Sequence, residues 1–314
     1  MKKTIFAVSD IHGEYKALLE ALEKAGFDET NPNHLLISVG DAFDRGDSSL
    51  SVYQYLKRLS DNGMAIVLKG NHTSFFTGYL DGSIISPFNY MNNGTNETMA
   101  DFLHQTAPFE SWCLLDKDIN VPTIGDFTNW LSYARQEINE EYPELLEWLK
   151  TRPYYYETKN YIFTHGGIDT NAEDWHKPHC ERYHFVDWEA LMWDDGSFFG
   201  KELNNTDKTV VIGHFGTARL REMYGYLTPG TLVETFPKGE REYTDEMIYA
   251  GNEVIREVVE NIDDENDGLI RYSNFDEYEI LDREDGRVVA IDGTSNFTKR
   301  VNVLVLENEE IIDE

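Results

Sequence analysis

The chain predicts an α/β fold built on parallel strands, with a site at the carboxyl ends of those strands. Two observations carry the prediction. Short apolar runs alternate with amphipathic segments about thirty residues apart, the rhythm of βαβ units. Each of the first three runs ends in a polar loop. Thr4 to Val8 leads into Ser9-Asp10-Ile11-His12-Gly13, Leu35 to Val39 into Gly40-Asp41-Ala42-Phe43-Asp44-Arg45-Gly46, and Ala65 to Leu68 into Gly70-Asn71-His72. In open α/β sheets such loops project side chains into a common crevice, which makes their carboxylates, amide and imidazoles candidates for one site.

Each element has a local reason. Thr4 to Val8 and Leu35 to Val39 are short, continuous and apolar, as strands buried on both faces are. Tyr15 to Ala25 carries Leu18, Leu19, Leu22 and Ala25 at helical spacing and is closed by Gly26. Ser49 to Leu59 repeats the pattern with Leu50, Val52, Tyr53, Leu56 and Leu59 before Asn62-Gly63 stops it. From Phe75 to Leu149 the reading is helical: Asn92-Asn93-Gly94-Thr95 is a turn or helix start, and Trp130 to Ile138 and Pro143 to Leu149 are amphipathic. Tyr154 to Glu157 and Tyr161 to Thr164 read as an antiparallel pair around Lys159-Asn160, the second running into His165-Gly166-Gly167-Ile168. Lys208 to Ile212 is a strand ending in Gly213-His214-Phe215-Gly216-Thr217. Beyond Phe236, Thr244 to Glu260 can form a helix, and Asn261 to Asp285 is strongly acidic. Arg287 to Ile291 and Arg300 to Leu306 read as closing strands around Asp292-Gly293. Residues 1–314 are expected as a single domain with an acidic insert or lid at about 236–278.

Composition narrows the function. Lys+Arg 27 against Asp+Glu 58 gives a net charge of -31, which repels nucleic acid and anionic membranes over most of the surface. Neither is an expected partner. A pocket lined by bound cations can still accept a phosphate, because such ions reverse the local field. No window approaches the ~18 consecutive apolar residues of a membrane span. The five fairly apolar residues after Met1-Lys2-Lys3 are too few for the core of a signal peptide. Cys113 and Cys180 are too few for a disulfide framework, so a reducing cytoplasm is the expected setting.

Collected, the polar residues at the strand ends are Asp10, His12, Asp41, Asn71, His165 and His214, with Asp44, Arg45 and His72 beside them. One carboxylate shared between two cations, with further carboxylate, amide and imidazole donors, makes a dinuclear site better suited to Mn, Fe, Zn or Co than to calcium. Two such metals about 3.5–4 Å apart can hold an attacking hydroxide and clamp phosphoryl oxygens in an in-line displacement.

Asp10-Ile11-His12-Gly13, Gly40-Asp41 through Asp44-Arg45-Gly46, Gly70-Asn71-His72, His165-Gly166-Gly167 and Gly213-His214, in that order, resemble the motifs of the metallophosphoesterases. More narrowly they are similar to those of the phosphoprotein phosphatases of bacterial or phage type and of symmetrical dinucleoside tetraphosphatases. Asp292-Gly293-Thr294-Ser295-Asn296-Phe297 through Val303 to Leu306 is similar to that family's last strands. The resemblance covers about two thirds of the chain and implies a calcineurin-like αββα sandwich, two mixed β-sheets flanked by helices, with a dinuclear metal site at the strand ends. It implies that Asp10, His12 and Asp41 hold a first divalent ion, and that Asp41, Asn71, His165 and His214 hold a second. Mn is the first choice of metal, with Fe, Zn, Co or Ni as alternatives. His72 would be the general acid, oriented by Asp44, and Arg45 would bind the substrate phosphate, which Asn71 also faces.

The sequence departs from the family at three places. Ser9 stands where the family has Gly, a mild change at a turn. Thr73 replaces the Glu that follows the Asn-His pair, which predicts weaker support of that loop. In Leu191-Met192-Trp193-Asp194-Asp195, Asp195 takes the place of an arginine, so a second phosphate clamp would have to come from Arg182, Arg219 or Arg221. His176-Lys177-Pro178-His179-Cys180 with His184 has the composition but not the spacing of a zinc site and reads as a solvated loop. Asp263 to Ile270 partly fits a calcium loop but has Asn274 at its twelfth position, and reads as an acidic turn. Tyr154 to Tyr156, Trp188 and Trp193 read as core or pocket wall.

The expected activity is therefore a metal-dependent phosphoester hydrolase acting on a phosphorylated protein or small phosphoester. Phosphoserine/phosphothreonine hydrolysis leads; symmetrical bis(5'-nucleosyl)-tetraphosphate hydrolysis and a catalytically silent binding module on the same fold are the alternatives.

Overall fold

The computed structural model describes residues 1–105, 124–183, 185–200, 206–224 and 279–312, together with the backbone of five short strands between 233 and 272. The chain opens with β1 (Lys2–Val8), α1 (Tyr15–Ala25), β2 (His34–Ser38), α2 (Ser49–Asp61) and β3 (Ala65–Val67), and the three strands lie parallel. A helical stretch follows: α3 (Asn71–Asp81), α4 (Pro87–Asn92), α5 (Thr95–Phe102), α6 (Ile124–Glu141) and α7 (Leu145–Lys150). Then come the antiparallel pair β4 (Tyr155–Glu157) and β5 (Tyr161–Thr164), a small ribbon of β6 (Glu181–Arg182) and β7 (Phe185–Val186), α8 (Asp187–Leu191), β8 (Thr209–Ile212) and α9 (Thr217–Tyr224). After β9 (Val233–Phe236), β10 (Tyr249–Ala250), β11 (Glu253–Val254), β12 (Arg256–Val259) and β13 (Leu269–Tyr272), the chain returns through β14 (Leu281–Asp282), β15 (Val288–Ala290) and β16 (Leu304–Glu310).

These strands form two mixed sheets. One has the order β16-β1-β2-β3, with β16 antiparallel on the edge; the other is β14-β15-β8-β5-β4, with a parallel centre and antiparallel edges. The period-two alternation of strand side chains sorts the core into layers. Ile5, Ala7, Leu35, Ile37 and Val39 of the first sheet meet Phe163, Val211, Val289 and Ile291 of the second. Phe6, Val8, Leu36 and Val67 point the other way, against the helices. Ile162, Val210, Ile212, Val288 and Ala290 back onto Trp175, Phe198, Phe199 and Leu220. The result is the expected αββα sandwich.

Helix α1 matches its sequence reading because Leu18 and Leu22 are buried, and Gly26, at φ 82°, turns its N–H back to the carbonyls of Leu22 and Glu23. The structure differs elsewhere. Asn71 and His72 are not in a loop but open α3. Thr73 supports that turn, since its hydroxyl accepts the Gly70 N–H at 3.4 Å. Within Thr244 to Glu260 the described residues are strands, not helix, in keeping with the branched side chains of Val254, Ile255, Val258 and Val259, which favour extended backbone. Here β12-β13-β9 make a separate antiparallel sheet and β10-β11 a second ribbon. The closing strand starts at Leu304 rather than Arg300, because Val301 and Val303 pack into the helical layer instead of pairing in the sheet. Cys113, His184 and Asp263 to Gly268 lie outside the described residues. No helix among the described residues is long and apolar enough to cross a membrane.

The layers make a stability prediction. Phe163→Ala, in the inter-sheet layer at 0% exposure, is expected to cost about 3–5 kcal/mol in urea unfolding. Val305→Ala, 39% exposed on the outer strand, should stay within about 0.5 kcal/mol.

Candidate active site

Five strand ends converge where the two sheets meet. From β1 come Asp10 and His12, from β2 Asp41, Asp44 and Arg45, from the first turn of α3 Asn71 and His72, from β5 His165 and from β8 His214. All but the exposed Arg45 and the partly exposed His214 are buried. The approach is close enough that only glycine fits between the loops: a Cβ on Gly70 would strike the Asp41 carboxylate, and one on Gly213 would strike Ser9 and Asp10. The backbone is also held in the left-handed region at Asp10, His12, Asp41, Asp44, Arg45 and His214, with φ between 45° and 73°. Such conformations cost free energy in non-glycine residues and persist when the surrounding fold imposes them.

Hydrogen bonds fix each side chain. His12 Nδ1 donates to the Phe43 carbonyl at 2.9 Å, and His165 Nδ1 to that of Val39 at 2.9 Å. Both Nε2 atoms thereby face the cluster, the arrangement that backbone carbonyls impose on metal-binding imidazoles. His165 Nε2 lies 3.2 Å from Asp41 Oδ2 and 3.0 Å from Asn71 Oδ1. The other oxygen of Asp41 accepts the His72 N–H at 3.0 Å. Asp10 Oδ2 accepts the His214 N–H at 2.8 Å, and Oδ1 lies 3.7 Å from His12 Nε2. His72 stands apart from the others. Its Nδ1 is 2.9 Å from Asp44 Oδ2, and its Nε2 accepts from Arg45 Nη2 at 3.0 Å. A guanidinium has no acceptor, so the hydrogen on the ring sits at Nδ1 and points at Asp44. Thr95 Oγ1 also donates to Asp44 Oδ2, at 3.1 Å, and the Asp44 N–H is bound by Thr98 at 2.8 Å.

The charges are those of an anionic pocket. Burial alone would favour neutral Asp41, but His165, His72 and His12 outweigh it and hold its carboxyl well below the usual range. Burial likewise opposes the charged form of His165, yet the Asp41 carboxylate raises that imidazole to about 9. His214 is pushed down to about 3 by burial and by the His165 charge, and His12 falls for want of solvent and through Arg45 and His72. Burial, then the nearby Asp292 carboxylate, lifts Asp10 well above the usual range.

Metal ions fit this donor set. Donor atoms of Asp41, His165 and His214 lie within 4.8 Å of one another, as do those of His12, Asp41 and His72. His12 and His214 are neutral and available, and buried carboxylates without enough cations around them are relieved by a metal. The structure thus brings together every residue singled out from sequence. It engages two of the three arginines proposed as a second clamp with other groups. Arg182 donates to the Trp193 carbonyl at 2.8 Å and lies 3.5 Å from Asp195, and Arg221 reaches the carbonyls of Glu279 and Ile280. Arg219 sits half-buried in α9. Trp193 is indeed a wall, edge-on to Phe75 and 6.3 Å from the His214 ring. His176 is occupied by Asp174 and Glu157, not by a metal-like group of donors. Asp292, with Ser9 and Ser295, was missed by the sequence reasoning, although it too follows an apolar strand.

A buried cluster of carboxylates and imidazoles at the strand ends of a two-sheet sandwich defines a metal-dependent hydrolase. Residues 3–240 match the family model of the calcineurin-like phosphoesterases, and the chain belongs to that family of phosphoester hydrolases. It is 27% identical over 164 residues to a symmetrical bis(5'-nucleosyl)-tetraphosphatase of Nitrosospira multiformis, covering 52% of this chain and 43% of that protein. It is also 27% identical over 176 residues to Shewanella-like protein phosphatase 1 of Plasmodium berghei, covering 52% of this chain and 39% of that one. The chain thus spans less than half the length of either relative. Among solved structures, a serine/threonine phosphatase of Saccharomyces cerevisiae aligns with a TM-score of 0.44 at 12% identity, over 99% of this chain and 82% of that one.

The imidazolium of His165 makes metal uptake measurable. With its pKa raised to about 9, the ring is protonated at pH 7.5 and must lose that proton to ligate a cation. Calorimetric titration of metal-stripped protein in buffers of different ionisation enthalpy should show release of about one proton from this group at pH 7.5. The release should fade above pH 9 and diminish by that amount in His165→Gln.

Proposed function

We propose that this chain is a two-metal phosphomonoesterase acting on phosphoserine and phosphothreonine, with manganese as its preferred metal. The observation that carries the choice of substrate is a single guanidinium. Arg45 is the one arginine among the described residues bonded to a site histidine, while Arg182 is drawn to Asp194 and Asp195. One planar fork suits one phosphate group. A tetraphosphate bridge carries several, and a chain of net charge -31 offers it little beyond the metals. A half-buried Cys180 with a free thiol suits a reducing compartment, and the cytoplasm is the setting assigned.

Asp10, His12 and Asp41 are assigned to one cation, and Asp41, Asn71, His165 and His214 to the other. Mixed oxygen and nitrogen donors without thiolate accommodate manganese, iron, zinc, cobalt or nickel, and manganese is the working choice. When bound, the two cations would supply an activated water and neutralise phosphoryl oxygens. His72 is set aside from the ligands because its Nε2 is held by the Arg45 guanidinium and its Nδ1 by Asp44, whereas the Nε2 of His165 faces Asp41. A phosphate that takes the Arg45 fork frees His72 Nε2 to take up a proton from solvent, and the resulting imidazolium hands that proton to the leaving oxygen while Asp44 keeps hold of Nδ1–H. Asn71, fixed through Oδ1 by His165, can offer its amide nitrogen to a phosphoryl oxygen.

His72→Asn should retain metal yet lose roughly 10²–10⁴ in kcat toward phosphoserine peptides, and far less toward aryl phosphates with good leaving groups. Equal losses on both would remove His72 as the acid. The resemblance to the Nitrosospira protein favours a second reading, symmetrical cleavage of dinucleoside tetraphosphates. Manganese-loaded protein offered each substrate separately should give the larger kcat/KM for the phosphoserine peptide; the reverse order would establish the second reading.

A further inference from the structure

Asp292 follows β15, beside the end of β8 that carries His214, and none of the roles above uses it. It is 5% exposed and forms no ion pair among the described residues. Its Oδ1 accepts the Thr294 N–H at 2.6 Å, and its carbonyl accepts the N–H of Thr217 at 3.0 Å. A Cβ built on Gly216 would lie 3.9 Å from its Oδ2, which puts that oxygen against the His214 turn. Three residues on, the Ser295 hydroxyl donates to the carbonyl of Asp10 and, at 3.0 Å, to that of Ile11. One tight turn, with Thr294 at φ 54°, therefore touches the His214 loop of one sheet and the Asp10 loop of the other.

We propose that Asp292 is a positioning residue of the metal centre: a third buried carboxylate, on the turn that joins the His214 loop to the Asp10 loop, that strengthens binding of a cation held between them. The inference rests on the two-metal reading of this site. Two divalent ions bring four positive charges against two from Asp10 and Asp41, and Asp292 adds a third negative charge within the same buried volume. A carboxylate removed from water, with only the more distant charges of Arg45 and His165 acting on it, is costly in the metal-free protein, and nearby cations convert that cost into binding. Ser295 adds the mechanical half by tying the Asp10 backbone to the same turn.

The test is calorimetric titration of metal-stripped protein with manganese chloride, for wild type, Asp292→Asn and Ser295→Ala, with thermal melts of the metal-free forms. Asn keeps the oxygen that accepts from Thr294 and removes only the charge. Asp292→Asn should weaken one of the two manganese sites roughly 10–100-fold, leave the other near wild type and leave the metal-free melting temperature no lower. Ser295→Ala should weaken the same site by a smaller factor, and it keeps the proposal testable should Asp292→Asn fail to fold. Wild-type affinity at both sites in both variants would overturn the proposal. So would equal weakening of both sites together with a lowered metal-free melting temperature, the mark of a purely structural residue. Wild-type protein that takes up no manganese would overturn the two-metal reading, and this inference with it.

Discussion

Asp41 is a carboxylate 1% exposed, and it stays ionised because imidazoles from three other elements surround it. Water is not available to solvate it, so its partners must be placed by the fold. The inter-sheet layer does the placing. Ile37 and Val39 on one side and Phe163 and Val211 on the other set the separation of the two sheets, and that separation sets how near His165 comes to Asp41. The glycines at the crossing points follow from the same constraint, since Gly70 and Gly213 pass where a side chain would displace a carboxylate.

Much of this was legible in the sequence because strand ends announce themselves. An apolar run that stops at Gly-Asp or Gly-Asn-His marks both the end of a strand and the beginning of a site, and five such ends gave the donors now found together. The layers were legible for the same reason: period-two alternation survives without tertiary context. What sequence did not carry was placement across long separations. Asp292 obeys the same rule as Asp10 and Asp41, an aspartate just after an apolar strand, but nothing local says that its turn faces the Asp10 loop. Nor does local pattern reveal that Asn71 and His72 begin a helix, because β3 passes into α3 with only three residues between. The Val-rich segment within Thr244 to Glu260 was misread because its spacing permits a helix, whereas its branched side chains favour strands.

Arg45 and Arg182 show how the acidic balance of the chain reaches the site. Arg45 keeps its guanidinium on the histidine side because His72 Nε2 accepts from it, with Asp44 turned to the other nitrogen of that ring. Arg182 lies on a ribbon next to Asp194 and Asp195, and the nearest carboxylates take it. With aspartate there, the segment becomes a sink for positive charge.

The turn from Asp292 to Ser295 and the pairing of β1 with β16 have a further consequence, for the order of events as the chain is made. Residue 10 gains its backbone anchor from residue 295, and the first strand gains its antiparallel neighbour from residues 304 to 310. Contacts of such separation form late, because the intervening chain must be gathered first. Helices α1 and α2 with their strands can collapse during synthesis, yet the cluster is not framed on all sides until the last strand has been added. Donors exposed in the interval are an incomplete set, so the cluster reaches its native geometry only once β16 has paired with β1.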